Sequence, residues 1–395
     1  MLGIYARTLA IISLVKGVSM QCADSAGAVL RIDLDALTEN YRALQRQVAP
    51  ASVAAVVKAD GYGIGAELVT TTLLKANCRH FFVAQLGEAI ALKPALPADL
   101  ALFVLNGLQP GAESDCAAIG ATPVLNSLDQ IERWSALAHR LGRPLPAALQ
   151  VDSGMARLGL PPEDVTILAD QPERLTGVDV RLIMSHLACA DEPDAAFNIE
   201  QAANFEAMAR HFPDVPRSLD NSGGSFLPRG HFDIVRTGIA LYGGVAQTGS
   251  PPLRAVVALE ARIAQVRTIA AGAGIGYGLT HRCDRESRIA TIPVGYADGW
   301  PRHLSNRGSA FIAGIRVPFA GRVSMDSITL DVTHVPVELL YPGAPVELIG
   351  PHQTIDDVAN DAGTISYEIL TQLGRRYRRE IVGAERVDQK RSIMA

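Results

Sequence analysis

The sequence predicts an α/β protein in which a (β/α)8 barrel of the TIM type is followed by a C-terminal, mostly antiparallel β domain. Two patterns support this prediction. Eight short apolar runs alternate with helical patterns over about 200 residues, as in barrels of this kind. Beyond residue 253, short alternating runs separated by glycine and proline indicate antiparallel strands. A doubly wound open sheet is the alternative, but no Gly-x-Gly-x-x-Gly sequence opens a helix after a first strand.

The first 28 residues precede the globular pattern, and we expect them to form a disordered extension. Their apolar run, residues 9–15, is too short to span a bilayer and ends at Lys16, so a signal peptide is the weaker alternative. Residues 29–34 alternate like a strand, which we expect to leave the barrel and join the β domain. Asp35 is predicted to cap a helix that ends at about Val48.

The barrel domain is predicted to cover residues 29–252, and its first strand is the apolar run that leads to Lys58. A glycine-rich turn containing Tyr62 follows this strand, and the pattern then becomes helical. The other seven barrel strands are predicted at residues 81–84, 100–105, 122–125, 147–151, 180–185, 216–219 and 232–235. Among the helices between them, the clearest are those at residues 127–141 and 194–212.

The β domain is predicted to cover residues 253–395 and begins with a long alternating stretch, residues 256–269. Shorter strands are predicted at residues 287–293, 309–312, 316–319, 328–332 and 345–349. Two helices, at about 355–362 and 366–373, come near the end of the chain.

The composition limits the classes of function. A net charge of -5 argues against nucleic acid as the main partner, because phosphate neutralisation needs a basic face. No segment is long and apolar enough to cross a membrane. The five cysteines are scattered and form no Cys-x-x-Cys pair. This pattern predicts a reducing, cytoplasmic location, with neither a disulfide framework nor a metal site.

Several chemically active residue types follow the predicted barrel strands. In such barrels the active site lies at the C-terminal ends of the strands. The residues at these positions are Lys58, Tyr62, Asp152, Arg157, His186, Asn221, Ser222, Arg236, Gly238 and Ile239. The seventh and eighth loops are the usual phosphate-binding position of the fold, which places Ser222 and the Gly238–Ile239 backbone there. A phosphate site facing a lysine amine suggests pyridoxal 5′-phosphate (PLP), although a phosphosugar enzyme is equally natural on topology alone.

Eight short motifs, in order along the chain, resemble those of the alanine racemase family of fold-type III PLP enzymes. They are AVVKADGYG (55–63), VDSGMARLG (151–159), SH (185–186), NS (221–222), DIVRTGIALYG (233–243), GYG (276–278), GYADGW (295–300) and GRVSMD (321–326). The resemblance extends over about residues 29–379. No single motif is specific, but their joint order and spacing are.

The resemblance implies a two-base interconversion of L-alanine and D-alanine. Lys58 would hold PLP covalently and act as one base, and Tyr277 would act as the other base from the opposite face. In the family this tyrosine reaches the cofactor of a second subunit, so the resemblance implies a homodimer with active sites shared between subunits. His186 would hold and tune Tyr277, and Arg236 would face the pyridine nitrogen.

The resemblance also implies binding roles. Tyr62, Ser222, Gly238 and Ile239 would hold the cofactor phosphate. Arg157 and the backbone amide of Met325 from the partner chain would hold the substrate carboxylate, and Tyr296 would stand near the entrance. Gln150 replaces a lysine that is often carbamylated in the family, and its amide oxygen is able to accept a hydrogen bond from Arg157 as a neutral, weaker orienter.

Three other functions compete with an alanine racemase. A broad-specificity or serine-type racemase would use the same residues. A fold-type III decarboxylase would lack the match at Gly276–Gly278, and a PLP-carrying homeostasis protein would lack the β domain. The physiological role, wall-precursor supply or alanine catabolism, stays open at this point. A further departure from the family is Asp220, which precedes Asn221 where a small apolar residue is more usual and which needs a partner if it is buried.

Overall fold

The computed structural model describes residues 26–383, and over this range the predicted fold class is confirmed. The first strand, β1 (Ala28–Asp33), lies outside the barrel. The barrel strands are β2 (Ser52–Val56), β3 (His80–Val83), β4 (Ala101–Val104), β5 (Thr122–Leu125), β6 (Leu145–Gln150), β7 (Val178–Met184), β8 (Arg217–Ser218) and β9 (Ile234–Thr237). The predicted extension lies outside the described residues, apart from residues 26–28.

The barrel strands form one parallel sheet in the order β8-β7-β6-β5-β4-β3-β2-β9. No strand ladder joins β8 to β9 within residues 26–383, so the ring is nearly closed. At this β8–β9 seam, Asp233 N donates to Arg217 O (3.0 Å) and Arg236 N donates to Asp220 O (2.9 Å). The barrel therefore has one weakly paired junction, between its seventh and eighth strands, β8 and β9. The loops that follow these two strands lie on either side of it.

The helices pack outside the barrel sheet or against the second domain. Their bounds are α1 (Leu34–Val48), α2 (Ala66–Lys75), α3 (Leu86–Leu92), α4 (Glu113–Ile119), α5 (Leu128–Leu141), α6 (Pro162–Asp170), α7 (Ala196–Ala209), α8 (Ile355–Ala362) and α9 (Ser366–Gln372). No helix among the described residues has the length and apolar content that a membrane crossing requires.

The predicted cap of α1 was wrong. Asp33, not Asp35, is the N-cap, and its side chain accepts from Ala36 N at 2.9 Å. Both aspartates are suitable cap residues by type. The strand pairing of β1 ends at Asp33, so the chain turns into the helix two residues earlier than the pattern predicts.

The second domain contains three small sheets. Its strands are β10 (Val257–Arg262), β11 (Gln265–Ile269), β12 (Gly274–Ile275), β13 (His281–Arg282), β14 (Ser287–Ile292), β15 (Ser309–Ile312), β16 (Ile315–Pro318), β17 (Ile328–Asp331), β18 (Pro345–Ile349) and β19 (Arg378–Val382). A six-stranded sheet has the order β16-β15-β18-β10-β1-β19, a three-stranded sheet has the order β11-β14-β17, and β12 pairs with β13.

Two details of this domain differ from the sequence prediction. The long alternating stretch 256–269 is divided between two sheets, because Ile263 N donates to Ala344 O and Ala264 N donates to Thr291 O. The strand β19 was missed, and it pairs parallel with β1 at the sheet edge. The sequence pattern did not reveal β19 because it contains two arginines and a glutamate. Charged residues are common in edge strands.

The second domain also contacts the loop that follows β2. Arg379 Nη2 donates to Gly63 O at 2.7 Å. The backbone of Gly63 lies against the Leu370 carbonyl of α9, so that a Cβ there would clash. The position of the lysine loop therefore depends on both domains.

Candidate active site

Lys58 begins a turn of left-handed backbone directly after β2. Ala59, Asp60, Gly61 and Tyr62 have φ angles of 52°, 53°, 62° and 55°. Left-handed geometry costs a non-glycine residue roughly 1–2 kcal/mol. Hydrogen bonds within the loop offset this cost: Asp60 Oδ1 accepts from Ala66 N (2.9 Å), and Asp60 O accepts from Gly65 N (2.8 Å). The backbone that carries Lys58 is therefore held in one conformation.

The Lys58 amine lies half-buried in a positively charged environment. Burial lowers its pKa most, the charges of Arg157 and Arg236 lower it further, and the charge of Glu88 opposes them. A lysine with a lowered pKa has a larger neutral fraction, and only the neutral amine is a nucleophile or base.

Glu88, at the start of α3, was missed by the sequence analysis. Its carboxylate accepts from the backbone of Ala59 (2.6 Å), Ala84 (2.7 Å) and Gln85 (2.9 Å). It therefore joins the end of β3 to the residue after Lys58. A capping-box pattern would have revealed it, but that pattern needs serine or threonine at the N-cap, and here the N-cap is Gln85.

Replacement of Glu88 by glutamine is expected to lower the pKa of Lys58 further, because a negative charge that favours the ammonium form is removed. In apo-protein, acetylation of Lys58 followed by mass spectrometry across pH would then reach half its maximum rate at lower pH than in the wild type. Glu67→Gln, an exposed acid of α2, is the matched control and should leave the Lys58 profile unchanged. An unchanged Lys58 profile in Glu88→Gln would contradict this role.

Tyr62, Ser222 and Gly238 come together across the β8–β9 seam. Tyr62 is buried and stacks on Tyr242 with ring centroids 4.5 Å apart. Its hydroxyl abuts Gly238 so closely that a Cβ there would clash. Ser222 Oγ accepts from Gly238 N (2.7 Å) and from Ala240 N (3.4 Å). These hydroxyls and backbone amides, with Ile239 buried beside them, lie together where the loop positions predict a phosphate site, and we call this group the cradle.

Arg236 is buried at the end of β9 and makes an extended set of hydrogen bonds. Its guanidinium donates to Ser218 O (2.9 Å), Ser218 Oγ (2.6 Å) and Ser185 O (2.5 Å). Burial lowers the pKa of Arg236 to about 10, and the charge of Asp220 opposes that effect. The group therefore stays cationic at neutral pH.

The same guanidinium lies 3.2 Å from His186 Nδ1. A guanidinium only donates, so Nδ1 must accept, and the neutral ring then carries its proton on Nε2. Burial and the charges of Arg236, Arg157 and Lys58 hold the pKa of His186 well below its ordinary value. His186 is thus a neutral ring whose Nε2–H is available to an acceptor at the barrel mouth.

Arg157 lies exposed on the loop after β6. Asp152 shapes this loop, since its Oδ1 accepts from Gly154 N (2.9 Å) and Ala156 N (3.1 Å). No hydrogen bond from Arg157 to Gln150 is present among the described residues. Gln150 is buried and instead donates from Nε2 to Leu158 O at 3.0 Å.

No hydrogen bond joins Tyr277, Met325 or Tyr296 to Lys58 among the described residues. Their exposed fractions are 72%, 52% and 43%, high for large apolar side chains. Tyr277 lines a cavity of about 350 Å³ with Arg322 and Ser324. Tyr296 N donates to Ser324 O (3.0 Å), which places Tyr296 beside the Met325 loop. One surface of the β domain therefore presents all three residues to solvent.

The barrel mouth is also open in the single chain. A cavity of about 670 Å³ extends from His186 and Asn221 to Tyr367 of α9. Asn221 was placed at the mouth from the sequence but was given no role. Its Nδ2 lies 3.4 Å from His186 Nε2, and because both atoms carry hydrogens in this tautomer the contact is not a hydrogen bond. Within residues 26–383, no group of three or more histidine, cysteine, aspartate or glutamate side chains could hold a metal ion.

Comparisons with known proteins agree with this geometry. The family model for the alanine racemase N-terminal domain matches residues 32–246, and that for the alanine racemase C-terminal domain matches residues 256–381. A catabolic alanine racemase from Agrobacterium fabrum is 52% identical over 364 residues, which cover 92% of this chain and 94% of the relative. An alanine racemase from Brucella abortus is 52% identical over 373 residues, covering 91% of this chain and 94% of the relative.

Solved structures give the same result. The crystal structure of alanine racemase from Bartonella henselae with covalently bound pyridoxal phosphate has a TM-score of 0.87 and 42% identity. The match covers 90% of this chain and 100% of that one. Biosynthetic alanine racemase from Pseudomonas aeruginosa has a TM-score of 0.83 at 33% identity, with coverage of 91% and 100%. The sequence, the barrel with its β domain and the residues at the mouth agree: the chain belongs to the alanine racemase family.

Proposed function

We propose that the protein is a PLP-dependent alanine racemase that interconverts L-alanine and D-alanine. The observation that carries this proposal is Lys58, a half-buried amine with a lowered pKa. It lies at a barrel mouth that also contains a buried arginine and a neutral histidine. Family membership makes the reaction class specific, because relatives 52% identical over most of the chain are alanine racemases.

The residues at the mouth fit PLP. Lys58 would hold the aldehyde carbon, and Tyr62, Ser222, Gly238 and Ile239 would hold the phosphate. Burial raises the pKa of Tyr62, so its phenol keeps a proton to donate. The crowding of Gly238 against the Tyr62 hydroxyl leaves no room for a side chain in the cradle. The nearby cations suit a phosphate dianion.

Arg236 would face the pyridine nitrogen of the cofactor. When bound, PLP withdraws electrons from the substrate α-carbon and so makes its proton removable. An arginine keeps its own protons and would leave the ring nitrogen unprotonated. Arg236 therefore limits how strongly the ring withdraws electrons, which disfavours side reactions.

Two bases on opposite faces would move the substrate proton. Lys58 would take or return the proton on one face, and Tyr277 would do so on the other. A phenol is a weak base at neutral pH unless its anion is stabilised. The Nε2–H of His186 would donate to that anion, and Arg236 fixes the tautomer that makes this possible.

We infer that the active enzyme is a homodimer with shared sites. Tyr277, Met325 and Tyr296 lie exposed on the β domain of the single chain. In the dimer, Tyr277 of the partner subunit would reach the barrel mouth. The Met325 amide of the partner subunit and Arg157 would hold the substrate carboxylate, and Tyr296 would line the entrance.

The remaining assignments concern domains and location. We assign residues 29–252 to the PLP-binding barrel, with strand 29–34 counted in the β-domain sheet, and residues 253–395 to the β domain. Residues 1–28 are assigned as an extension. The four cysteines of the described part of the chain are free thiols, which supports a cytoplasmic enzyme.

The proposal is tested by incubating the purified protein with PLP and L-alanine and separating the products by chiral chromatography. D-alanine should accumulate to an equal mixture, and D-alanine should give the same mixture. Parallel reactions with serine, lysine and arginine separate an alanine racemase from a broad-specificity or serine-type enzyme. Release of carbon dioxide without racemisation would identify a decarboxylase and overturn the proposal.

A further inference from the structure

Asp220 lies directly after β8, and only 1% of it is exposed. One carboxylate oxygen accepts from Arg229 Nη2, and the other lies 2.9 Å from His231 Nδ1. A buried charge costs several kcal/mol unless it is paired and hydrogen-bonded. Both partners belong to the loop between β8 and β9, so this carboxylate ties that loop to the end of β8.

The clamp of Asp220, Arg229 and His231 lies at the weakest junction of the barrel. β8 has two residues, and no ladder joins it to β9 among the described residues. The Asp220 carbonyl accepts one of the two backbone hydrogen bonds that cross the seam, from Arg236 N. Asp220 therefore closes the ring with its backbone and fixes the connecting loop with its side chain.

The phosphate cradle has one part on each side of this seam. Ser222 follows β8, Gly238 follows β9, and their 2.7 Å hydrogen bond crosses from one part to the other. The Asp220 carboxylate also packs under the Ser222 loop, where a Cβ on Gly224 would lie 2.6 Å from Asp220 Oδ1. Gly224 N in turn donates to Asn221 Oδ1 at 3.0 Å. A shift of Asp220 would thus be passed to Ser222, two residues away.

We propose that Asp220 is a positioning residue of the cofactor site. With Arg229 and His231 it holds β8 against β9 and so sets the spacing of Ser222 and Gly238 for the cofactor phosphate. This inference rests on the proposed function, because it takes the cradle to bind the phosphate of PLP. It gives a function to an acid that stands where the family more often has a small apolar residue.

The test compares PLP with pyridoxal, which has the same aldehyde and ring but no phosphate. Equilibrium binding to apo-protein is measured for the wild type and for Asp220→Asn. The variant keeps the side-chain shape, but it loses the charge. Removing one partner of a buried charged group is expected to weaken PLP binding roughly tenfold. Pyridoxal affinity should stay within about twofold, so the ratio of the two dissociation constants changes.

Two further variants separate positioning from general destabilisation. Arg229→Gln, which keeps Asp220, should shift the same ratio in the same direction, and its effect should not add to that of Asp220→Asn. Should Asp220→Asn fail to fold, Arg229→Gln carries the test alone.

Glu113→Gln is the matched control, since this buried acid pairs with Arg133 (2.7 Å) at the start of α4. Strand β4, which precedes it, is four positions from β8 in the ring. Glu113→Gln should lower stability without changing the ratio.

Equal weakening of PLP and pyridoxal, or PLP affinity within twofold of the wild type, would overturn the clamp. A wild-type protein that binds PLP but does not racemise alanine would refute the proposed function. The ratio of the PLP and pyridoxal dissociation constants would then still test the role of Asp220. A wild-type protein without affinity for PLP would overturn both inferences.

Discussion

Replacement of Lys58 by alanine is expected to reduce racemisation by about 10³-fold or more in both directions, since it removes the amine that acts as one base. The same change removes covalent attachment of the cofactor. Lys58 is the residue at which three properties of the mouth coincide: burial, nearby arginines and a fixed left-handed backbone. Another lysine would have to possess all three to replace it.

Two measurements check this expectation. Chiral chromatography gives the rates from L-alanine and D-alanine, and intact mass after borohydride reduction shows whether one cofactor is attached per chain. Lys75→Ala is the control, because Lys75 is an exposed lysine at the end of α2. A Lys58→Ala protein that still carried a reduced cofactor on another residue and racemised alanine would refute the assignment.

Mixing two inactive variants is expected to restore activity. Tyr277→Phe should lose racemisation by about 10²–10⁴-fold, as removal of a positioned acid–base group does. Lys58 and Tyr277 of one site come from different subunits in the proposed dimer. A hybrid of Lys58→Ala and Tyr277→Phe chains then has one doubly altered site and one site without either change. Random exchange makes half of the dimers hybrids, so about one quarter of wild-type activity should return.

The subunits are mixed after dissociation in mild denaturant and returned to buffer with PLP. Each variant treated alone is the baseline, and a mixture containing Tyr341→Phe in place of Tyr277→Phe controls for reassembly. Tyr341 is an exposed tyrosine of the β domain that lies outside the proposed site. If each site were built from a single chain, the mixture of the two inactive variants would stay at the baseline.

Sequence reasoning predicted the barrel well for physical reasons. Parallel barrel strands are buried on both faces, so each one is a short apolar run that stands out between helical patterns. The position of the barrel mouth could also be predicted, because the residues that follow each parallel strand meet at one end of the ring. Lys58, His186, Ser222 and Arg236 were located in this way. In the structure Arg236 contacts His186 Nδ1, and Ser222 Oγ accepts from Gly238 N.

The parts that were missed depend on contacts distant in sequence. Asp220 finds its partners Arg229 and His231 only because the seam loop folds back, and no local pattern shows this. Glu88 accepts from one backbone amide of the lysine loop, Ala59 N, which lies 29 residues earlier. The proposed position of Tyr277 opposite Lys58 could not be predicted from spacing, because in the proposal it requires a second subunit, and only the family resemblance suggested it.

The sheet of the second domain places β1 and β19, which are far apart in sequence, side by side. Arg31 of β1 and Glu380 of β19 form an ion pair although they are 349 residues apart. Arg379 holds the Gly63 carbonyl from 316 residues away. During synthesis the barrel strands leave the ribosome long before β19 does, and domains emerging first can fold first. The lysine loop of a nascent chain therefore lacks the hydrogen bond from Arg379 until β19 has been synthesised and has paired with β1.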